Sequence, residues 1–470
     1  MPLIGGVAAL EGRQVAVFGA GMEGRCFAQR FGPSCSELVV LDDLACDPDA
    51  SAGGRRKMAE DLAGFEFQSP SVLAQRRFDF VVHSPGVSRY DERLVGAALL
   101  GAVVTTPTAL FMEDFSDRQV LAVTGSKGKT TTAMLAAAVL RAEGLDVALA
   151  GNIGRPLTEL YDDEDHDAFV VELSSFQTAE LTTSPTVGVL TLLAPDHIDW
   201  HRSLENYYED KLRLFSLRAE VPVAVNSCCV EALVRTCELS ERLLYGDAGP
   251  VRLENSEVVV PGLGPLDLGG FQLLGEHNLL NVCGALTAGL LLTGGFGDKE
   301  RLERELSSVT APRCRLEPIG FIDDVGYIDD ALASNPEGSL AALKVFAGTK
   351  VALIAGGHDR GVDYRPLARA IQESSPQPIV FLIGEAGQAI AGALEKISST
   401  AIWHREPSLE AAVDQAASSP QIATVLFSPA APTPREEGSY LDRSRRFRQA
   451  VGLDPSPPVR PGATASQATT

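Results

Sequence analysis

Residues 119–142 read QVLAVTGSKGKTTTAMLAAAVLRA. An apolar, β-branched run (119–124) stops at a glycine-rich turn, and an alanine-rich stretch with helical character follows. A strand that enters a helix through such a turn points backbone N–H groups outward, where phosphate oxygens can accept them. Gly125, Ser126, Lys127, Gly128, Lys129, Thr130 and Thr131 form the candidate cradle. Lys129 is placed to neutralise β- and γ-phosphates, and the Thr130 hydroxyl to bind Mg²⁺. The full phosphate-loop pattern needs glycine five residues before Gly128, and Val123 stands there, so the loop is a shortened variant. The plain alternative is a tight turn that uses Gly and Lys by chance.

Working outward, the same strand-turn-helix grammar recurs. Residues 14–19 (QVAVFG) lead into Gly19-Ala20-Gly21-Met22-Glu23-Gly24, which fits G-x-G-x-x-G, and Asp42 closes the next apolar run at 37–41. Alone, this reads as a dinucleotide site with an acid on the ribose, or as a purely structural glycine turn. Further strands are predicted at 78–82, 145–149, 168–172, 187–192, 350–355, 378–383 and 423–427. Short strands and turns are predicted across 238–272, and a helix at 278–293. Strands alternating with helices predict an α/β fold with parallel sheets. Two carboxylate-bearing segments follow strands near the phosphate loop, Glu172-Leu173-Ser174-Ser175 and Asp196-His197-Ile198-Asp199, and both suit metal binding. Lys211, in ENYYEDKLRLFS, reads locally as a solvated helical lysine.

The chain has 470 residues, which argues for more than one domain, and carries a formal charge of −22. So acidic a chain lacks the basic face of a general nucleic-acid binder. Its eight cysteines form no Cys-x-x-Cys pair, so neither a zinc ribbon nor a thioredoxin-like motif is suggested. No apolar run reaches the ~18 residues of a membrane span, and no basic signal segment opens the chain. The expectation is a cytoplasmic protein with no membrane insertion and no nucleic-acid partner. The Pro-, Ser- and Thr-rich end, 456–470, reads as a disordered tail.

TGSKGKTT (124–131), GNIG (151–154), ELSSFQ (172–177), DHIDWH (196–201), EDKLRLF (209–215), GEHNLLN (275–281) and APRCRLE (311–317) occur in this order. Together they resemble the Mur ligases of peptidoglycan synthesis over about residues 12–450. The N-terminal turn and HSPGV at 83–87 resemble the branch that adds glutamate to a UDP-linked muramoyl-alanine. The resemblance implies three α/β domains: a Rossmann-like UDP-sugar domain (1–107), a central ATPase domain (108–312) and a Rossmann-like amino-acid domain (313–455). It implies ATP, UDP-N-acetylmuramoyl-L-alanine and glutamate as small-molecule partners, a monomer, and two Mg²⁺ ions held by Thr130, Glu172, His197 and Lys211. Lys129, Lys211, His197 and Glu172 are the implied catalytic set, with Lys211 carbamylated. Asn278, Asn281, Arg315 and Asp330 are implied on ATP. Gly21, Met22, Glu23, Asp42, Ser84, Pro85, Gly86, Asn152, Ser174 and Gln177 are implied on the UDP substrate. Ser334, Arg360, Thr433 and Tyr440 are implied on the amino acid.

The family pattern breaks mainly in the third domain. Its usual Asp-Ser-Lys-Ala-Thr-Asn is here Asp330-Ala331-Leu332-Ala333-Ser334-Asn335, so a lysine has become Leu332. Arg360 stands for a lysine, Thr433 for a serine, Arg435 for an aspartate, and Cys314 for a histidine. The missing lysine resembles a branch that attaches L-glutamate, while D-glutamate is the ordinary substrate. A folate-type polyglutamate ligase, a dehydrogenase resting on Gly19–Gly24, and a non-catalytic nucleotide-binding scaffold are the competing readings.

Overall fold

The computed structural model describes residues 4–43, 62, 64–163, 165–218, 220–271, 273–434 and 437–453. The expected tail at 456–470 and Arg435 lie outside these residues.

Three sheets carry the fold. The first is fully parallel, in the order β3-β2-β1-β4-β5. Its strands are β1 (Gln14–Phe18), β2 (Glu37–Leu41), β3 (Glu66–Gln68), β4 (Phe80–His83) and β5 (Val103–Thr105). β1 lies between β2 and β4, and its residues 15–18 are fully or almost fully buried, as expected of a parallel strand covered on both faces.

The second sheet has nine strands, in the order β14-β13-β12-β11-β10-β9-β6-β8-β7. They are β6 (Val120–Thr124), β7 (Val147–Gly151), β8 (Ala168–Glu172), β9 (Val187–Leu190), β10 (Val223–Asn226), β11 (Arg242–Gly246), β12 (Val251–Glu254), β13 (Glu257–Val260) and β14 (Gly264–Pro265). The strands from β7 to β12 pair in parallel, and β13 and β14 are antiparallel additions at one edge. β6 is flanked by β8 and β9, so their carboxyl ends converge on one spot. The strand order changes direction around β6, and ligands of open α/β sheets bind at such points. The predicted helix is present as Glu276–Thr293, and it packs against the helix that follows the phosphate loop.

The third sheet runs β15-β16-β20-β17-β18-β19 and is parallel except for the β15–β16 pair. Its strands are β15 (Glu317–Ile322), β16 (Val325–Asp329), β17 (Val351–Gly357), β18 (Ile379–Ile383), β19 (Trp403–Glu406) and β20 (Thr424–Phe427). Two apolar cores, one on each face, are built from its alternating side chains.

The chain divides into two compact units. One holds the first two sheets (residues 1–271 and 276–309); the other holds residues 272–275 and everything from 310 onward. Within the first unit, the helix Pro107–Asp114 starts at the proposed 107/108 boundary. Thr106 caps it, and its Glu113 accepts from the backbone N–H groups of Ile4, Gly5 and Gly6. Among the described residues no helix is long and apolar enough to cross a membrane.

Candidate active site

The phosphate loop joins β6 to the helix Lys129–Ala142, as the sequence predicts. Two glycines make the turn possible. Gly125 has φ 149°, and a Cβ there would lie 2.0 Å from the Thr191 hydroxyl. Gly128 has φ 85° and caps the helix; a Cβ there would lie 2.7 Å from Asn281 Oδ1. The loop is held from the far side by the segment after β9. The Ser126 backbone N–H donates to Leu192 O at 2.6 Å, and the Thr191 hydroxyl donates to Lys127 O at 2.6 Å. Asn281, expected on the adenine side, packs against this loop: its Oδ1 accepts from Thr132 at 3.2 Å, and its amide donates to Asn278 at 3.0 Å.

Glu172 ends β8 and turns its carboxylate to the loop. One oxygen accepts from the Thr130 hydroxyl at 2.8 Å, the other from the Asn152 amide at 3.1 Å. Both Thr130 and Glu172 are buried. Lys211 comes from the helix Leu204–Ser216 and is only 2% exposed, against the local reading of a solvated lysine. Its Nζ donates to Gly125 O at 2.9 Å. Burial, and after it the charge of Lys129, holds the Lys211 amine well below its ordinary pKa. His197 adopts φ 50° and packs at a tilt against Phe176, with its side chain half exposed; burial lowers its pKa. Sequence reasoning missed Tyr207. Its hydroxyl lies 2.6 Å from Ser126 Oγ, and its ring sits 5.1 Å from Lys211 Nζ. The available signal was its position one helical turn before Lys211.

The residues expected on the UDP substrate cluster on the first sheet and beside β8. Gly19 to Gly24 form the expected turn, where a Cβ on Gly24 would meet Gly19 O at 2.1 Å. Asp42 does not stand free at the strand end: its Oδ2 accepts from the Ala20 N–H at 2.7 Å and so braces the turn. Gly21 and Met22 are exposed at the turn's tip. Ser84 donates to Gly19 O at 2.5 Å, and the Pro85 carbonyl accepts from the Trp200 indole at 3.1 Å; Gly86 lies in the same loop. Ser174 and Gln177 form a reciprocal cap, and Gln177 also donates to Glu23 at 2.8 Å. Burial pushes the Glu23 carboxyl up to about 7.

The second unit brings its own set together at the carboxyl ends of its parallel strands. Asp330 follows β16 and accepts from Ser428 at 2.6 Å and from the Leu316 N–H at 3.1 Å. Burial raises its carboxyl to about 7. Arg315 lies beside it, next to Cys314, which is buried with φ 61°. Ser334 and Arg360 are exposed, Tyr440 is 40% exposed, and the Thr433 hydroxyl is buried without a hydrogen-bond partner. Arg443, 1% exposed, ties two loops to the end of β17 through Ala331 O (3.0 Å), Ala431 O (3.0 Å) and Gly356 O (3.4 Å). Cys314, Glu317 and Asp329 bring ligand atoms within 4.8 Å of one another, but Arg448 and Ser444 already take the carboxylates.

Known proteins resemble this chain in sequence and fold. The Mur ligase middle domain matches residues 123–231. The chain is 33% identical to the UDP-N-acetylmuramoyl-L-alanine–L-glutamate ligase of Xanthomonas euvesicatoria, over 96% of this chain and 97% of that one. It is 33% identical to the ligase of the same name from a Micromonospora species, over 96% and 99% of the two chains. Among solved structures, MurF ligase from Thermotoga maritima in complex with ADP superposes with a TM-score of 0.57 at 17% identity, covering 95% of this chain and 96% of that one. The MurC ligase of the same organism gives 0.57 at 20% identity, covering 94% and 99%. These two share the fold.

Proposed function

The chain belongs to the Mur ligase family of ATP-dependent, amide-forming ligases, and from that premise we propose that it joins L-glutamate to UDP-N-acetylmuramoyl-L-alanine in peptidoglycan precursor synthesis. The observation that carries the reading is the phosphate loop with the buried Lys211 amine directly beneath Gly125 and the Thr130–Glu172 pair beside it.

The chemistry turns a poor leaving group into a good one. The γ-phosphoryl of ATP passes to the alanyl carboxylate, giving an acyl phosphate and ADP. The amine of glutamate then attacks the acyl carbon, and the tetrahedral adduct expels phosphate to leave an amide. Backbone N–H groups of the loop and the Lys129 ammonium stabilise the charge on the transferring phosphoryl. Thr130 and Glu172 form a hard-oxygen donor pair of the kind that Mg²⁺ takes. With His197 and a modified Lys211 they would hold the two ions, which supply charge neutralisation at the phosphates. The Lys211 side chain suits that modification. An uncharged amine adds to carbon dioxide, forming an N–C bond and releasing a proton, and the carbamate is a carboxylate-like ligand.

The choice of L-glutamate rests on the second unit. Leu332 stands where the family pattern has a lysine, and it packs partly buried against the core that contains Cys314, Tyr327 and Ala331. Arg360, Ser334 and Tyr440 remain accessible, and the unpartnered Thr433 hydroxyl is a donor for a dicarboxylate. The relatives are named as L-glutamate ligases. The test is phosphate release with ATP, Mg²⁺ and UDP-N-acetylmuramoyl-L-alanine, comparing the glutamate enantiomers. Turnover with L-glutamate alone is expected. Turnover with D-glutamate alone would overturn the stereochemical assignment, and silence with both would overturn the choice of amino acid or acceptor.

A further inference from the structure

Behind the metal-side residues lies a polar chain that the reaction above does not use. His201 Nδ1 is 2.7 Å from Asp210 Oδ2, and His201 Nε2 is 2.9 Å from Ser175 Oγ. Ser175, His201 and Asp210 are 2%, 0% and 4% exposed. A carboxylate that only accepts takes its hydrogen from Nδ1, and in the neutral imidazole this leaves Nε2 as the acceptor for the Ser175 hydroxyl. Such depth rules out a nucleophilic role for Ser175. The line is a fixed relay of orientation.

Both ends of the relay reach the UDP-side elements. Asp210 is gripped from the loop after β4: Arg89 Nη1 is 3.0 Å from Oδ1, and the Tyr90 hydroxyl is 3.2 Å from Oδ2. Arg89 also pairs with Glu180 at 3.0 Å. The same loop is pinned beside His201, because Ser88 Oγ donates to Trp200 O at 2.7 Å and the Trp200 indole donates to Pro85 O at 3.1 Å. At the other end, Ser175 begins the short helix capped by Ser174, whose Gln177 donates to Glu23 of the glycine turn. Asp210 directly precedes Lys211 on one helix, and Lys211 donates to the phosphate loop.

We propose that the Ser175–His201–Asp210 relay is a positioning device: it locks the 84–90 loop and the Ser174–Gln177 turn into one UDP-sugar platform and sets Lys211 against that platform. The inference rests on the UDP assignment of the previous subsection and deepens it. Because the relay bonds the UDP-side loops directly by side chains but reaches the phosphate loop only at second hand, through Lys211 on the same helix and the Tyr207 ring packed on His201, its loss weakens the two ligands unequally.

The test is calorimetric binding of UDP-N-acetylmuramoyl-L-alanine, and separately of ADP with Mg²⁺, to the full chain and to Ser175→Ala, His201→Asn and the double variant. His201→Asn keeps a donor near Asp210 but loses the Ser175 acceptor. Each single variant is expected to bind the UDP-sugar about tenfold more weakly, the loss of one hydrogen bond in a charged network, with ADP binding changed less than about twofold. The double variant is expected to be no worse than the worse single one, since both cut the same link. Unchanged UDP-sugar binding in both single variants, equal weakening of both ligands, or additive losses would overturn the relay. Failure of the underlying assignment is distinguishable, because the unmodified chain itself would then not bind the UDP-sugar.

Discussion

The carboxyl ends of the second and third sheets each bury a cation on backbone carbonyls, and the two respond to burial in opposite ways. Lys211 beneath the phosphate loop is 2% exposed and donates to Gly125 O. Arg443 among the loops of the third sheet is 1% exposed and donates to Ala331, Gly356 and Ala431. Burial drives the lysine well below its ordinary value, whereas the guanidinium falls only to about 10 and stays charged. A point charge on a flexible stem can give up its proton and become a reagent; a delocalised planar fork cannot, and becomes a permanent staple. On the proposed function, the first region is built for chemistry and the second for holding loops in place, with specificity delegated to what those loops present.

The largest effect should come from the reagent side. Lys129→Ala removes the ammonium that donates to Ser126 O at 3.3 Å while leaving the loop's glycines and the Thr191 and Leu192 contacts in place. Phosphate release should fall about a thousandfold with the fold intact. Near-normal turnover would break the assignment of the loop to phosphoryl transfer. Lys211→Ala comes next, with a loss of about a hundredfold or more. Short-chain carboxylates should restore part of the activity, and added bicarbonate should do so poorly, because no amine remains to carry the carbamate. Full activity without any additive would show Lys211 to be structural, and the contrast with Arg443 would collapse.

Arg443→Met sharpens the other half. It strands three buried carbonyls, at a cost on the order of 3 kcal/mol in the stability of the second unit, read as a lower denaturation midpoint. Arg443→Lys should recover only part, since one ammonium cannot reach all three carbonyls. In both variants KM for glutamate should rise more than KM for ATP, because Ser334, Arg360 and Thr433 sit on the stapled loops. Equal changes in both would mean that Arg443 supports only the fold.

What the sequence made legible follows the same division. The phosphate loop, β6, β8 and the helix Glu276–Thr293 could be read directly, because Gly-Lys-Thr-Thr and long apolar runs act locally. β10 and β16, with four and five residues, gave no comparable signal. Lys211 looked solvated because its burial is made by partners 86 residues away in sequence. Arg89 and Asp210 are 121 residues apart, and no periodicity predicts such a pair. Asp42 was expected on the nucleotide, and its bond to Ala20 is a matter of three-dimensional geometry that spacing alone does not give.

The smallest effect concerns pH and the third sheet. Burial raises Asp330 to about 7, although Ser428 and the Leu316 N–H partly oppose the rise. Between the ordinary carboxylate range and about pH 7, the folded chain holds a proton that the unfolded chain has released. Stability therefore falls as pH rises through that window and levels off above it. A single proton retained in this way can contribute a slope of at most about 1.4 kcal/mol for each step of one in pH. Asp330→Asn cannot ionise, so it should remove that slope. Asparagine has one acceptor oxygen for two donors, and the lost hydrogen bond should cancel part of the gain, leaving the variant about 1–2 kcal/mol more stable than the parent at pH 8 and less stable at pH 5. The measurement is denaturant unfolding of both proteins at several pH values. If the difference between them does not change with pH, Asp330 is ionised throughout, and the third sheet's site carries a full negative charge beside Arg315 at neutral pH.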